Sequence, residues 1–231
     1  MRKRWRWVGV FSPELMLCAG DARVGPVRRR WWAVALPDGT LREGGRGVEL
    51  VPGSVRVRGV IDLAVEEVEG VEVTSRTPGG HSIWTRKQGG IAVRGTALGR
   101  PVDARAIVDD SDGDHDRHTS WRWSAGVGVA EDGLAVAWNL VDGIHDAPGA
   151  SERRVWRGGE AVEVGPVEFA ADLSRVAGMT FSAWAERSEN MNLLVLRSRY
   201  RQPFGTFSGE LPDGTRLREG YGVMEEHDAL W

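Results

Sequence analysis

Helix signals are scarce in this chain of 231 residues, and cysteine, tyrosine and lysine are nearly absent. The single cysteine, Cys18, excludes an internal disulfide and fits a reducing compartment. Only Lys3 and Lys87 are lysine; every other member of the 30 basic residues is arginine. With 33 acidic residues the formal net charge is -3, which argues against a nucleic-acid or acidic-membrane partner. No apolar run approaches the ~18 residues of a membrane span. The opening MRKRWRWVGVFSPELMLCAG is basic and then partly apolar, but Arg6, Pro13 and Glu14 break the run that a secretory leader needs. Leu17 stands where a lipoprotein cleavage site before Cys18 requires a small residue. The expectation is a soluble, cytoplasmic protein with no membrane span.

Signatures of nucleophilic and nucleotide chemistry are missing too. There is no G-x-S-x-G, no His close in sequence to Cys18, no phosphate-binding loop and no βαβ unit to hold a dinucleotide. Arg28-Arg29-Arg30-Trp31-Trp32 sets basic beside aromatic, as single-strand binders do, but a strand edge guarded by arginine is the better reading.

What the chain has is tryptophan and turns. Eleven Trp stand against five Phe and two Tyr, and each Trp brings large apolar area with one N–H donor. Short Val/Trp-rich runs recur between Pro-Asp-Gly, Pro-Gly-Gly, Gly-Gly and Asp-Gly punctuation. The period-two run Val55–Val65 reads as one strand with a bulge at its glycine, and Asp172–Ala177 as a short helical turn. About fifteen short strands without a βαβ rhythm predict an all-β fold: antiparallel barrels or sandwiches. One barrel uses roughly 100–150 residues, so two units side by side are expected, at 1–108 and 109–231. The sequence shows no internal repeat.

His118 to Gly128 (HTSWRWSAGVG) is answered by Leu134 to Asp146 across Glu131-Asp132-Gly133, which predicts a hairpin. Trp121 and Trp123 then share one face, with Thr119 and Arg117 in line behind them. Core packing and a ligand wall are both open for that face, because a barrel this size is either filled or hollow. An arginine there needs a partner, and Glu152 and Asp142 are the candidates. Asn139 is a polar group in an apolar strand, suited to a backbone bond or to a ligand oxygen. Asp109 to Asp116 with His115 and His118 resembles the start of a calcium loop. Its ligand pattern then fails at His115 and Trp121, so a solvated acidic turn with no metal is the expectation, and a zinc or iron site using His115 and His118 is the alternative.

Several motifs together resemble the bacterial domain of unknown function 2804 family. They are His118-Thr119-x-Trp121-x-Trp123-Ser124-Ala125-Gly126, Trp138-Asn139-Leu140, Asn192-Leu193-Leu194 and Arg197-Ser198. Tyr200 to Gly209 (YRQPFGTFSG) and Glu225 to Trp231 (EEHDALW) complete the set. The likeness runs over nearly the whole chain. That family is similar in turn to tandem lipocalin-like proteins, among them carotenoid 1,2-hydratases, tocopherol cyclases and decalin-forming cyclases. The resemblance implies two lipocalin-like barrels, the first abbreviated, and a hydrophobic small-molecule partner. Asp114-His115-Asp116 departs from the aromatic or small residues expected before His118.

The expected function is binding of an isoprenoid- or polyketide-like molecule, with cofactor-free hydration or cyclisation of an alkene as the chemistry. The alternative is a carrier or sensor that does no chemistry. Protonating an alkene needs a carboxyl group kept neutral in a dry site. Glu225 and Asp142 are the candidate acids and His227 the relay; the resemblance favours His227 over His81 and His145. Arg117, His118, Trp121, Trp123, Asn139, Glu152 and Gln202 are the candidate ligand-binding residues, with the indole faces available to a carbocation.

Overall fold

A computed structural model describes residues 1–147, 149–193 and 196–230. Leu194 and Val195, inside the expected strand from Leu193 to Arg201, and the closing Trp231 lie outside the described residues.

Among the described residues there are eighteen strands and no helix. The first ten are β1 (Arg2–Phe11), β2 (Met16–Val24), β3 (Val27–Ala35), β4 (Leu41–Gly44), β5 (Val48–Val51), β6 (Ser54–Val57), β7 (Ile61–Val65), β8 (Val71–Arg76), β9 (Ser82–Ala97) and β10 (Arg100–Asp114). They form one sheet in the order β4-β3-β2-β1-β10-β9-β7-β6-β5, with β8 also on β9. The remaining eight are β11 (His118–Ala130), β12 (Ala135–Asp142), β13 (Arg154–Arg157), β14 (Glu160–Glu163), β15 (Arg175–Val176), β16 (Gly178–Leu193), β17 (Leu196–Glu210) and β18 (Arg216–Leu230). Their sheet runs β14-β13-β12-β11-β18-β17-β16-β15. Every pairing is antiparallel, and in each sheet the first strand lies against the last long one, β1 on β10 and β11 on β18. The fold is all-β: two curled antiparallel sheets side by side, matching two lipocalin-like barrels.

Several local expectations are corrected. Val55–Val65 is two strands, because Gly59 takes a left-handed turn (φ 72°) between β6 and β7 instead of a bulge. Asp172–Ala177 is a turn leading into β15, not a helix. Arg28–Arg30, by contrast, lie on the stretch of β3 that pairs with β2 alone, since β4 joins only from Trp32 to Ala35, so the arginines do stand at a strand edge. The acidic run from Asp109 to Asp114 is strand, not a solvated turn. Arg2, Arg4 and Arg6 on β1 stand directly across from Asp114, Asp112 and Asp110, so the charges neutralise along the ladder.

Each sheet buries both faces. Val8, Val10, Leu17, Val34, Leu63 and Val93 fill the curl of the first sheet. Trp138, Leu140, Met179, Phe181 and Phe207 fill the second, where the Trp138 N–H is satisfied by Ser124 Oγ at 3.0 Å. Neither curl is therefore the hollow that Trp121 and Trp123 line. A third cluster joins the sheets: Trp7, Phe11, Met16 and Cys18 of the first meet Trp123, Val127, Phe204 and Val223 of the second. A large side chain so buried contributes about 1.5–3 kcal/mol, which makes this cluster the adhesive between the halves.

Candidate functional site

The intersheet layer is packed at one end and open at the other. Along β1, residues Lys3, Trp5 and Trp7 share the face that looks at the second sheet; along β11, Thr119, Trp121 and Trp123 look back. Where the sheets diverge they leave a cavity of about 530 Å³. That lies in the ~300–1,000 Å³ range of small-molecule sites. Its wall is indole: Trp5, Trp7, Trp31, Trp121 and Trp123 all line it, with Tyr200. Trp7 meets Trp123 edge to face at 5.0 Å, forming the floor between the sheets. Gly20 makes the wall possible on one side, since a Cβ there would lie 2.2 Å from the Trp31 ring.

Glu225 on β18 is set into this wall. Its Oε1 accepts from Trp121 Nε1 at 2.9 Å; its Oε2 accepts from Tyr200 Oη at 2.9 Å and Gln202 Nε2 at 2.8 Å. The register explains the convergence, because Glu225 lies directly across from Trp123, and Trp121 from His227. Burial pushes the Glu225 carboxyl up to about 7 even though these three donors pull it down, with Asp109 adding to the rise. The Tyr200 phenol is driven well above its ordinary range by burial and by Glu225, so it remains a donor.

His227 lines the same wall. Its ring lies 4.4 Å from Trp121 and 5.3 Å from Tyr200, and its Nε2 is 2.8 Å from Ser198 Oγ. Burial, helped by the Lys3 charge, lowers its pKa to about 4, so it is neutral at pH 7.

A second polar group lines the same cavity, with Lys87 and Asp109 on the first sheet and Glu152 in the segment between β12 and β13. Lys87 Nζ lies 2.5 Å from Asp109 Oδ1 and 3.2 Å from Glu152 Oε2, and all three line the cavity. Trp5 Nε1 donates to Asp109 Oδ2 at 3.2 Å. Burial works against the Lys87 ammonium, but the two carboxylates hold it charged. Arg187 lies 5.6 Å from the Trp31 ring centroid and 5.1 Å from that of Tyr200, with Glu43 and Glu189 as ion-pair partners.

Of the sequence-predicted residues, the structure brings Glu225, His227, Trp121, Trp123 and Glu152 to the cavity wall. Gln202 and Asn139 stand directly behind it. Gln202 holds Glu225 and accepts from Cys18 Sγ at 3.5 Å; Asn139 Oδ1 accepts from Trp123 Nε1 at 2.8 Å while its Nδ2 donates to Glu152 O. Burial pushes the Cys18 thiol up to about 12, so it packs and does not react. Three expectations place residues elsewhere. Asp142 is exposed at the end of β12, and Arg117 is exposed in the bend before β11. His118, also exposed, lies 3.0 Å from Asp228. Arg117 therefore does not take Glu152 as partner; Lys87 does. Among the described residues no three His, Cys, Asp or Glu side chains come together as a metal site. No helix is long and apolar enough to cross a membrane.

Sequence reasoning missed Trp5, Trp7, Trp31, Lys87 and Tyr200. The signal for the first two was present: Trp5-Arg6-Trp7 has the same spacing as Trp121-Arg122-Trp123.

The profile of the family described as Domain of unknown function (DUF2804) matches residues 80–231. The first eight strands precede that match. No curated protein matches the chain. Among solved structures, a protein described as an AttH from Nitrosomonas europaea is similar at a TM-score of 0.50 and 12% identity, over 98% of this chain and 92% of that one. Kievitone hydratase from Nectria haematococca is similar at 0.52 and 14% identity, over 96% and 88%. At these identities the likeness is one of fold.

Proposed function

The chain belongs to the DUF2804 family, and from that premise we propose that it binds an apolar, isoprenoid- or polyketide-like alkene between its sheets and hydrates or cyclises it without a cofactor. The observation that carries this reading is a carboxyl group with no ion-pair cation among the described residues, Glu225, held by Trp121, Tyr200 and Gln202 in the wall of an indole-lined cavity, where burial pushes its pKa up to about 7. A carboxyl with a pKa of about 7 still holds a proton at neutral pH and gives it up readily, the balance that general acid catalysis favours. The Glu225 proton passes to one alkene carbon, and the electron pair of the double bond forms the new C–H bond. Positive charge develops on the neighbouring carbon, facing Trp121 and Trp123, whose ring faces attract a cation. Water then adds there and gives up a proton to the Glu225 carboxylate, leaving an alcohol; a second double bond in the same molecule would add instead and close a ring, and the cation so moved loses a neighbouring C–H proton to the carboxylate to leave a new alkene. The donors on the Glu225 carboxylate, Trp121, Tyr200 and Gln202, stabilise the anion left behind.

The test is incubation with farnesene and related alkenes in D₂O, read by mass spectrometry, with Trp fluorescence reporting binding. Deuterium should enter the product with the wild-type chain and not with Glu225→Gln, which should still bind. Binding without incorporation from any alkene would leave the carrier reading in its place. Failure of every alkene to alter Trp emission would remove the cavity ligand altogether.

A further inference from the structure

Both lysines of this arginine-rich chain line the cavity, Lys3 at 2% and Lys87 at 3% exposure. Arginine cannot lose its proton in a protein, whereas a lysine does so readily when buried. Lys87 is accounted for by Asp109 and Glu152, which need a compact ammonium between them. Lys3 has a different setting. Register places it between Val24 on β2 and Gly113 on β10, on the cavity face two residues before Trp5. Its Nζ lies 3.4 Å from Thr119 Oγ1 of the other sheet. The groups that act on it electrostatically include Asp116, His115 and His227. Burial brings its pKa down to about 7 while Asp116 pulls the other way, so a large share of the amine is neutral at pH 7.

We infer that Lys3 is a nucleophilic amine that forms an imine with the aldehyde or ketone carbonyl of an apolar molecule held in the cavity. This rests on the reading that the cavity takes an apolar ligand, and it adds a carbonyl-directed activity to the alkene chemistry of Glu225. The Lys3 nitrogen lone pair attacks the carbonyl carbon, and the C=O electron pair moves to oxygen, which takes up a proton. The resulting carbinolamine loses water, the nitrogen sheds its proton, and C=N remains. No oxidant or reductant is consumed. Lysine is required because a guanidinium offers no comparable lone pair.

Two aldehydes separate the parts of the inference: citral, which is isoprenoid, and propanal, which is small and water-soluble. Each is incubated with the whole folded chain and cyanoborohydride, which reduces an imine to a stable amine. Peptide fragmentation then distinguishes Lys3, Lys87 and the Met1 α-amine. Citral should label Lys3 about tenfold or more faster than propanal does, leave Lys87 unlabelled, and label neither lysine in Lys3→Met. Farnesene-dependent Trp fluorescence confirms that the variant is folded. Equal labelling of Lys3 by both aldehydes keeps the reactive amine but removes the apolar-ligand reading. Absence of label on Lys3, with farnesene still bound, overturns the amine and leaves that reading standing.

Discussion

Asp109 and Glu225 hold equivalent positions in the two sheets. Asp109 stands across from Trp7 and accepts from Trp5 Nε1; Glu225 stands across from Trp123 and accepts from Trp121 Nε1. The next residues, Asp110 and Glu226, bond to the central arginines of the two Trp-Arg-Trp runs, Arg6 and Arg122. The halves differ at the third strand. Lys87 on β9 gives Asp109 a cation, whereas Gln202 on β17 gives Glu225 only an amide. One unit of structure thus appears twice, once with an ammonium beside its carboxyl group and once with an amide.

Replacing Gln202 by lysine should make the second half electrically like the first. An ammonium within hydrogen-bond range favours the carboxylate. In Gln202→Lys the Glu225 carboxyl should titrate well below the wild-type value of about 7, and deuterium transfer to an alkene should be lost at neutral pH. Carboxyl ¹³C NMR measures the first effect. An unchanged midpoint would refute the electrostatic assignment.

Removing Lys87 should be costly in proportion to pH. Lys87→Gln leaves Asp109 and Glu152 buried together without their cation, and breaking a buried pair costs about 3–5 kcal/mol. Burial already raises the Asp109 pKa, so protonation should relieve part of the loss in acid. Urea unfolding at pH 7 and pH 5 should show the larger deficit at pH 7, with Lys87→Gln/Asp109→Asn recovering part of it.

Glu225 itself should leave a signature in the pH dependence of stability. Its pKa rises from an ordinary 4.5 to about 7 on folding. The folded state binds the proton more tightly, so this group's contribution is fully present below 4.5 and is lost as pH climbs through about 7. Relative to wild type, Glu225→Gln should therefore gain roughly 3 kcal/mol across that window. A stability difference that stays flat with pH would show that the carboxyl is ordinary.

Asn139 is predicted to act through Trp123. Asn139→Leu strips the Trp123 N–H of its acceptor in a buried site and leaves Glu152 O without a donor, at a cost of about 1–3 kcal/mol. Thermal unfolding checks the cost. Weakened farnesene binding would check that the indole is held in place by this bond.

The strands were legible where one face alternates with the other. They were obscured where both faces are buried. In β2, Met16 and Cys18 face the second sheet while Leu17 and Ala19 face the first curl, so an unbroken apolar run replaced the period-two signal and resembled a leader. Gly89-Gly90 read as a break, yet β9 passes through it with a register shift on β10. The site was legible in its second half, where Trp121, Trp123, Gln202, Glu225 and His227 are close in register. Its first half depends on Lys3, Trp5, Trp31 and Lys87, which only tertiary packing of the sheets brings to the same cavity. Asp142 and Arg117 misled because proximity in sequence to a hairpin says nothing about which end opens onto the other sheet.

The most direct measurement is a ¹³C NMR titration of the Glu225 carboxyl in the wild-type chain, with and without farnesene. The account predicts a midpoint near 7 that moves higher when an apolar ligand displaces water from the cavity. A midpoint in the ordinary carboxylate range, unmoved by ligand, would contradict it.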